Sequence, residues 1–325
     1  MTLTELKYIV AVARERHFGR AAEACFVSQP TLSVAVKKLE DELAVIIFER
    51  GNTEVSLTEM GEQIIAQAQR VLEETAAIKE IAKQGKDPLK GSLRLGVIYT
   101  IGPYILPSLM KEMIECCPTM PLLLQENFTH KLLELLRQGE IDAAILALPL
   151  PETGLNIEPL YDEPFVVALS KNYAEHSDWS ARKEVSSAEL KSETMLLLGA
   201  GHCFRDNVLE VCPDFARYSQ ATEGIQKTFE GSSLETIRHM VAAGIGITVL
   251  PQLAVPNPVP ADSLLTYIPF SKPIPSRRIV LAWRRSFTRI AAIKAISHAI
   301  RACRLTGVSW INEHSQSLSQ DKYLE

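Results

Sequence analysis

The stretch that decides the fold of this chain is Val27-Ser28-Gln29-Pro30-Thr31-Leu32-Ser33-Val34-Ala35-Val36-Lys37-Lys38-Leu39. Ser28 can cap a helix and proline is tolerated in a first helical turn, so a helix is predicted from residue 29. At ~100° per residue, one face is apolar and consists of Leu32, Ala35, Val36 and Leu39. The opposite face carries Ser33, Val34, Lys37 and Lys38. A hydroxyl, a small apolar group and two cations can read base edges and phosphates.

Taken alone, the stretch is more typical of an amphipathic surface helix with solvated lysines. The flanking segments predict further helices and a wing around this stretch. Before it, apolar side chains at helical spacing predict a first helix, and they are Leu3, Leu6, Ile9, Val10 and Ala13. Residues 19–25 predict a second helix, with alanines where another helix packs closely. After it, residues 46–48 and 55–57 predict a two-stranded wing with Arg50 at its tip.

Charge supports nucleic-acid binding only locally. The net charge of the chain is −5, and residues 1–58 hold seven Lys or Arg against eight Asp or Glu. Residues 16–38, in contrast, hold four Lys or Arg and one Glu, a local charge of +3. Any DNA binding must therefore come from the local arrangement of the cations.

Composition predicts an ordinary globular protein of the reducing cytoplasm. The chain has 325 residues, 46% of them hydrophobic and 22% charged, which suits two or three domains. Its start carries no secretory signal, and no apolar run predicts a membrane span. The six cysteines are Cys25, Cys116, Cys117, Cys203, Cys212 and Cys303. They have neither metal-ligand spacing nor the density of a disulfide scaffold, so no metal or other cofactor is expected.

A long helix is predicted after the wing. Steps of four and three residues relate Ile64, Ala68, Val71, Thr75, Ile78 and Ala82. This is a coiled-coil seam, and it implies a partner helix. We therefore expect residues 59–85 to pack against another helix, and a hinge to follow over residues 84–91.

From residue 92 the pattern becomes α/β. Predicted strands cover residues 93–98, 122–124, 143–148, 164–169, 195–198, 246–250 and 277–283. Predicted helices cover residues 104–116, 130–138, 234–243 and 288–303. Strands that alternate with helices favour a mainly parallel sheet. Residues 251–260 contain four prolines and predict a loop, and residues 305–325 predict a polar tail.

A second informative stretch runs from Gly199 to Pro213 and contains Cys203 and Cys212. His202 and Arg205 flank Cys203 at a predicted helix start, and such neighbours favour the thiolate, which is the nucleophile. Helical spacing separates the two Cα atoms by ~13 Å, whereas a disulfide tolerates about 7 Å at most. A pairing would require the segment to unwind, as in a redox switch. Residue types alone favour two ordinary buried cysteines.

The N-terminal segments resemble the winged helix-turn-helix of LysR-type transcriptional regulators. The motifs are Ala21-Ala22, Ser28-Gln29-Pro30-Thr31-Leu32-Ser33, Lys38-Leu39-Glu40 and Phe48-Glu49-Arg50. The resemblance extends to about residue 304, with minor departures at Gly19 and Ala44. It implies that DNA is contacted by Arg20, Ser28, Gln29, Pro30, Thr31, Ser33, Val34, Lys37, Lys38 and Arg50.

The resemblance also implies the domain organisation. It assigns residues 1–58 to the DNA-binding domain and residues 59–90 to a dimerising linker helix and hinge. The regulatory domain has two α/β subdomains, similar to periplasmic binding proteins. Subdomain I comprises residues 91–163 and 269–304, and subdomain II comprises residues 164–268. Two crossovers, near residues 162–165 and 266–269, join them.

Within that family, Gly-His-Cys-Phe-Arg-Asp and Cys212 resemble the hydrogen-peroxide sensors. This implies that Cys203 attacks peroxide and that Cys212 resolves the product into a disulfide. The residues expected to bind or activate peroxide are Thr100, Thr129, His202, Arg205, Asp206 and Arg277. Arg278 is the alternative to Arg277, Asp206 could form a structural ion pair, and either threonine could be a helix cap. The other four cysteines are expected to pack.

Further expectations concern partners and alternatives. The resemblance implies double-stranded operator DNA, a homotetramer, RNA polymerase and a cellular thiol reductant as partners, with no membrane and no enzymatic turnover. A regulator that binds a small metabolite between the subdomains is one alternative, and it would leave both cysteines dispensable. A thiol peroxidase is the other, but it would not explain the recognition helix, the wing or the coiled-coil seam.

Overall fold

The computed structural model describes residues 1–50, 55–83, 88–150, 154–213, 230–231 and 233–311. The chain divides into two compact units. One contains the described residues up to Lys83, and the other contains most of those from Pro88 onward. Among the helices described, none has the length and apolar character that crossing a membrane requires.

The N-terminal unit is a helix-turn-helix with a wing. Its helices are α1 (Leu3–Glu15), α2 (Phe18–Ala24), α3 (Gln29–Leu43) and α4 (Glu59–Lys83). The wing strands β1 (Phe48–Arg50) and β2 (Val55–Leu57) pair antiparallel. Thr2 and Glu5 form a capping box on α1, and the His17 ring caps α2. Both helix starts therefore satisfy backbone N–H groups through side chains.

Residues 29–43, which include most of the stretch 27–39, form α3 as the sequence predicts. The Ser28 hydroxyl accepts from the backbone N–H of Thr31, and proline stands in the first turn. Leu32, Val36 and Leu39 are fully buried in the core of the unit, whereas Val34 is 69% exposed. The predicted division of this helix into an inner and an outer face is confirmed.

The seam of α4 differs from the prediction in its first half. Ala68 is buried in the core of the winged helix, and Ile64 and Val71 pack against that core. These side chains therefore have a partner within their own chain, which the seam pattern alone does not reveal. Ile78, further along, is 66% exposed. The hinge residues 84–87 lie outside the described part of the chain.

The second unit contains a mixed sheet, in the strand order β10-β6-β11-β5-β3-β4. These strands are β3 (Leu93–Ile98), β4 (Leu122–Asn127), β5 (Ala143–Ala147), β6 (Leu155–Ser170), β10 (Leu265–Pro269) and β11 (Ser276–Arg284). β3 pairs parallel with β4 and β5, whereas β11 runs antiparallel to β5 and β6. The prediction of a mainly parallel sheet is wrong, because β11 lies between β5 and β6 and runs antiparallel to both, and β10 is antiparallel to β6.

β6 is a long strand whose first and last parts pair with different strands. Its first ten residues, 155–164, pair with β11. Its last residues, 165–170, pair with β10 and with β9 (Thr248–Pro251). One continuous strand thus belongs to both halves, and its length reaches well beyond the predicted strand 164–169. The return connection lies between β10 and β11.

Helices cover both halves of this unit. They are α5 (Gly102–Cys116), α6 (Thr129–Gln138), α7 (Lys171–Glu175), α8 (Cys203–Val211), α9 (Leu234–Ala242) and α10 (Ile290–Ala302). The short strands β7 (Leu197–Leu198) and β8 (Glu230–Gly231) pair parallel. The helices agree with those predicted, while α7 and β10 were not foreseen.

Two residues of the C-terminal segment pair with the sheet. Ser309 and Trp310 form β12, which pairs with Asp162 and Tyr161 of β6. The Trp310 ring meets the Tyr161 ring edge-on at 5.4 Å. The prediction of a loose tail from residue 305 therefore does not describe residues 309–310, because one aromatic contact anchors them. Residues 312–325 lie outside the described part.

Candidate functional site

The first part of the site is the start of α8. Gly201 has φ +96, a backbone conformation that suits glycine, and His202 is the N-cap residue. Cys203 is the first residue of the helix and is half-buried. Cys212 is the C-cap residue, is 2% exposed and, like Cys203, is not in a disulfide. The predicted helix between the two cysteines is confirmed, so their Cα atoms are ~13 Å apart.

A small cavity of about 10 Å³ lies next to Cys203. A cavity volume of about 10 Å³ is close to the minimum that one water molecule requires. Its walls are Ile98, Tyr99, Thr100, Asn127, Phe128, Thr129, Gly201, His202 and Cys203. Three chain segments, at the ends of β3 and β4 and at the start of α8, therefore bring four of the predicted residues together.

Thr129 has an unusual hydroxyl. Its Oγ1 is buried and has no hydrogen-bond partner among the described residues. Burying a hydroxyl without a partner costs about 1–3 kcal/mol. Thr129 is the first residue of α6, but the alternative interpretation as a helix cap is not supported, because a cap would use this oxygen. A small polar molecule in the cavity would satisfy it.

Thr100 is held by a buried arginine. Arg277 donates from Nη1 to Thr100 Oγ1 at 2.7 Å and from Nη2 to the Thr100 carbonyl at 3.0 Å. Because Thr100 Oγ1 accepts from a cation, its own proton must point elsewhere. Arg278 instead pairs with Asp162 on a part-exposed edge, at 2.8 Å. Of the two candidate arginines, the geometry places Arg277 behind the cavity.

Sequence reasoning missed Glu163. Its Oε2 accepts from Arg277 Nε at 2.9 Å, and its Oε1 accepts from the backbone N–H of Leu253 at 2.9 Å. Both members of the pair are buried, with side chains 0% and 1% exposed. A signal was available: Arg277 and Arg278 stand opposite Glu163 and Asp162 in the β11–β6 register. Two adjacent arginines that face two adjacent carboxylates across antiparallel strands favour ion pairs.

Phe204 connects this buried pair to α8. The Arg277 guanidinium lies 4.9 Å from the centre of the Phe204 ring, and the same ring meets Phe165 edge-on at 5.2 Å. A cation over an aromatic face is stabilised by the ring quadrupole. The residue after Cys203 is therefore packed directly on the charge that holds Thr100.

His202, Arg205 and Asp206 occupy different positions. His202 is 6% exposed, lines the cavity, and packs edge-on against Phe128 at 4.7 Å. Arg205 donates from Nη1 to the Leu198 carbonyl at 2.8 Å and is not among the cavity-lining residues. Asp206 is exposed in the first turn of α8. The structure thus brings His202 to the cavity but not Arg205 or Asp206.

A larger cavity of about 390 Å³ adjoins the first, since Tyr99, Thr100, Phe128 and His202 line both. The other lining residues include Tyr104, Glu126 and Glu235. The Tyr104 hydroxyl donates to Glu235 at 2.8 Å, and burial raises the pKa of Tyr104. Burial also raises the pKa of the Glu126 carboxyl. A molecule of metabolite size could enter here.

The predicted DNA-contacting residues lie on or near α3. Gln29, Pro30, Thr31, Val34, Lys37 and Lys38 are exposed, and Ser33 is half-buried. The Ser28 hydroxyl is used in the helix cap. Arg20 is 61% exposed at its side chain and donates to the Glu15 carbonyl at 2.7 Å. The Arg50 side chain lies outside the described part.

The two lysines of α3 differ. Lys38 Nζ lies 3.1 Å from Glu5 Oε1 on α1, while its side chain stays 67% exposed. This hydrogen bond, together with those from Thr2, holds the pKa of Glu5 below its usual value. Lys38 therefore carries a local partner that the sequence pattern does not reveal.

The remaining cysteines are not all packed. Burial raises the pKa of Cys25, and it raises the pKa of Cys303 to about 11. Cys117 is buried, but Cys116 is exposed, so the prediction of four packing cysteines is wrong at Cys116. Within the described residues, no group of three or more His, Cys, Asp or Glu side chains is arranged to hold a metal ion.

Comparison with known proteins covers nearly the whole chain. Residues 3–62 match the family "Bacterial regulatory helix-turn-helix protein, lysR family", and residues 86–303 match "LysR substrate binding domain". The chain is 40% identical over 302 residues to the DNA-binding transcriptional dual regulator OxyR of Escherichia coli strain K12. That alignment covers 93% of this chain and 95% of the relative.

Two solved structures are similar along the chain. A full-length cysteine-to-aspartate variant of OxyR from Pseudomonas aeruginosa superposes with a TM-score of 0.70 and 49% identity, covering 96% of this chain and 98% of the other. A cysteine-to-serine variant of OxyR from Corynebacterium glutamicum, with hydrogen peroxide bound, superposes with a TM-score of 0.58 and 32% identity. That match covers 93% of this chain and 94% of the other. This chain therefore belongs to the LysR family of bacterial transcriptional regulators and, within it, to the OxyR group.

Proposed function

We propose that this chain is a redox-sensing transcriptional regulator that binds operator DNA and is activated by hydrogen peroxide through Cys203 and Cys212. The observation that carries the proposal is the small cavity at Cys203, which Thr129 helps to line and beside which the buried Thr129 hydroxyl has no hydrogen-bond partner among the described residues. Hydrogen peroxide is small, donates two hydrogen bonds and accepts several. Its polarity suits the polar side chains that line that space, among them Thr100, Thr129 and His202.

The cavity residues supply the parts of the reaction. The Cys203 thiolate attacks one peroxide oxygen, the O–O bond breaks, and hydroxide leaves with a proton from its surroundings as water. Arg277 occupies an acceptor site of Thr100, which directs the Thr100 proton toward the cavity, where peroxide can accept it. Thr129 can accept from the peroxide. His202 lines the same cavity and can stabilise the thiolate or the leaving oxygen.

The second step forms the disulfide. The Cys212 thiol attacks the sulfenic sulfur of Cys203, and water leaves. The two Cα atoms must approach from ~13 Å to within about 7 Å, so α8 has to unwind. Val208 is 2% exposed, and Leu209 and Val211 pack against the same core. Displacing a fully buried aliphatic side chain costs about 1.5–3 kcal/mol, so oxidation changes the packing of the domain.

The outer face of α3 is proposed to read DNA. Lys37 and Lys38 provide cations for phosphates, and Gln29, Ser33 and Val34 are available for base edges. We further propose a homodimer through residues 59–85 that assembles into a tetramer, for which the exposed Ile78 on the seam of α4 is the supporting observation. RNA polymerase as a partner, a cellular thiol reductant for reset and a cytoplasmic location complete the proposal.

The decisive experiment is a thiol-alkylation mass map of the full-length protein before and after one equivalent of hydrogen peroxide. We expect protection of Cys203 and Cys212 as one disulfide, and a trappable sulfenic acid in Cys212→Ser. Cys203→Ser should bind DNA but never respond. A normal peroxide response from Cys203→Ser would refute the assignment. Consumption of peroxide far beyond one equivalent, with reductant in excess, would instead favour a thiol peroxidase.

A metabolite-responsive regulator is a second candidate, favoured by the cavity of about 390 Å³. Its walls carry two carboxylates and two tyrosines, which is chemistry for a polar organic molecule rather than peroxide. This candidate requires transcriptional control to survive in the double variant of Cys203→Ser and Cys212→Ser. Loss of control in that variant would exclude it.

A further inference from the structure

A second pair of thiols lies at the far end of α5 from the peroxide cavity. Cys116 is the last residue of α5 and Cys117 is its C-cap residue. The helix begins two residues after Thr100 and is ~22 Å long, so the two thiol sites are separate. The Sγ atom of Cys116 donates to the Sγ atom of Cys117 across 3.5 Å.

The two thiols differ in accessibility and reactivity. Cys116 is exposed, whereas Cys117 is only 7% exposed. Burial and the hydrogen bond from Cys116 raise the pKa of Cys117 to about 11. Cys117 is thus a neutral thiol at physiological pH. Because peroxide reacts with the thiolate, Cys117 is a poor target for it.

The spacing of the sulfur atoms argues against a direct bond between them. A disulfide requires the sulfurs to close to ~2.05 Å and the Cα atoms to lie ~4.4–6.8 Å apart. Adjacent Cα atoms across a trans peptide are only ~3.8 Å apart. In contrast, one atom bonded to both sulfurs at ~2.3 Å would span the observed 3.5 Å with a bond angle of ~100°, which suits a pyramidal trivalent centre. The observed 3.5 Å therefore fits an atom between the sulfurs.

We propose that Cys116 and Cys117 form a vicinal dithiol that chelates a soft thiophilic centre of the trivalent-arsenical class. The described residues supply no third ligand of the His, Cys, Asp or Glu type, so a closed four-ligand metal site is not available here. A monosubstituted trivalent arsenical needs only two sulfurs, because its third valence is already filled. Soft thiolate ligands also match a soft centre.

The chemistry is a condensation without oxidation or reduction. An organic arsenoxide, R–As=O, loses its oxygen, and two As–S bonds form while the two thiol protons leave with that oxygen as water. Neutral thiols are sufficient for this reaction, which suits the environment of Cys117. Arsenic can enter at the exposed Cys116 and then bind the buried sulfur. The site does not depend on the proposed response to peroxide.

The test uses the full-length reduced protein with one equivalent of phenylarsine oxide. We expect one phenylarsenic group per chain, mapped by peptide mass to residues 116–117. It should resist washing with 2-mercaptoethanol and leave with 2,3-dimercaptopropanol, because a chelate resists a monothiol but not a competing dithiol. Cys116→Ser and Cys117→Ser should each lose the resistant adduct. Cys203→Ser and Cys212→Ser, as matched controls, should keep it.

Cys116→Ser changes an exposed side chain, so its folding, checked by thermal unfolding, should equal that of the parent. A resistant adduct in folded Cys116→Ser would overturn the proposal, as would its absence from the parent protein. A disulfide between Cys116 and Cys117 that forms with one equivalent of hydrogen peroxide, as fast as Cys203 is oxidised, would also overturn it. In that case the pair would be a second oxidation site.

Discussion

At the scale of single residues, Glu163 holds Arg277, and Arg277 in turn donates to the Thr100 hydroxyl oxygen. In Glu163→Gln, Arg277 keeps its charge in a buried site without a compensating anion. Removing one partner of a buried pair costs about 3–5 kcal/mol, and the peroxide reaction should slow by about tenfold or more as Thr100 loses its fixed donor. Chemical unfolding and the rate of sulfenic-acid formation measure the two effects.

Asp162→Asn is the matched control, because it faces Arg278 in the same register with side chains 33% and 24% exposed. A part-exposed pair contributes about 0–1 kcal/mol, so both stability and peroxide rate should change little. If Asp162→Asn and Glu163→Gln behave alike, Glu163 has no special role in positioning Arg277.

At Thr129 we expect a substitution to slow the peroxide reaction without lowering the stability of the folded protein. Thr129→Val keeps the shape and removes a hydroxyl that has no described partner, so the folded state should lose no stability. One lost hydrogen bond to peroxide corresponds to about 0.5–1.5 kcal/mol, a slowing of up to about tenfold. The alkylation rate of Cys203 should stay unchanged, and Thr129→Ser should restore the peroxide rate. Equal slowing of alkylation would mean that Thr129 acts on the thiol instead.

At the scale of secondary-structure elements, α3 should bind DNA unevenly along its outer face. Lys37→Ala should lower affinity for all sequences and reduce the salt slope by about one, as loss of one phosphate contact does. Lys38→Ala should have a smaller effect, because Lys38 already pairs with Glu5 in the free protein. Titrations of operator and unrelated DNA across a salt series would show this. If the double variant of Lys37→Ala and Lys38→Ala binds DNA as the wild type does, α3 does not bind the DNA.

α8 should be the element that changes most on oxidation. Forming the disulfide breaks hydrogen bonds between Phe204 and Val211 and displaces Val208 from its core. We therefore expect faster hydrogen exchange over residues 203–213 in the oxidised protein, while residues 1–50 keep the reduced pattern. An oxidised protein with the exchange pattern of the reduced one would contradict this mechanism.

The sequence predicted these elements well where the signal is local. Ser28 and the proline after it specified the start of α3, and Gly201 and His202 marked the start of α8. Signals that depend on distant partners were missed. The burial of Glu163, the contact of Trp310 with Tyr161, and the packing of Ala68 on its own winged helix all join residues far apart in the chain.

At the scale of the whole molecule, oxidation is expected to change the arrangement of the oligomer on its operator. The apolar side chains released from α8 need a new surface, and residues 213–232, which lie mostly outside the described part, follow directly in sequence. If they line a contact between regulatory domains, that contact must rotate. Footprinting of reduced and oxidised protein should show a change in length or spacing of the protected region, larger than the change in affinity. Identical footprints would refute this.

The length of β6 has a consequence for chimaeras between relatives. Residues 155–164 pair with β11, and residues 165–170 pair with β9 and β10. The register of this one strand therefore sets the pairing in both parts of the sheet. A graft joined inside this strand splices two registers, and a slip of one residue turns every following side chain to the opposite face. Exchange of the sensing half between relatives should therefore succeed only when the whole strand travels with it.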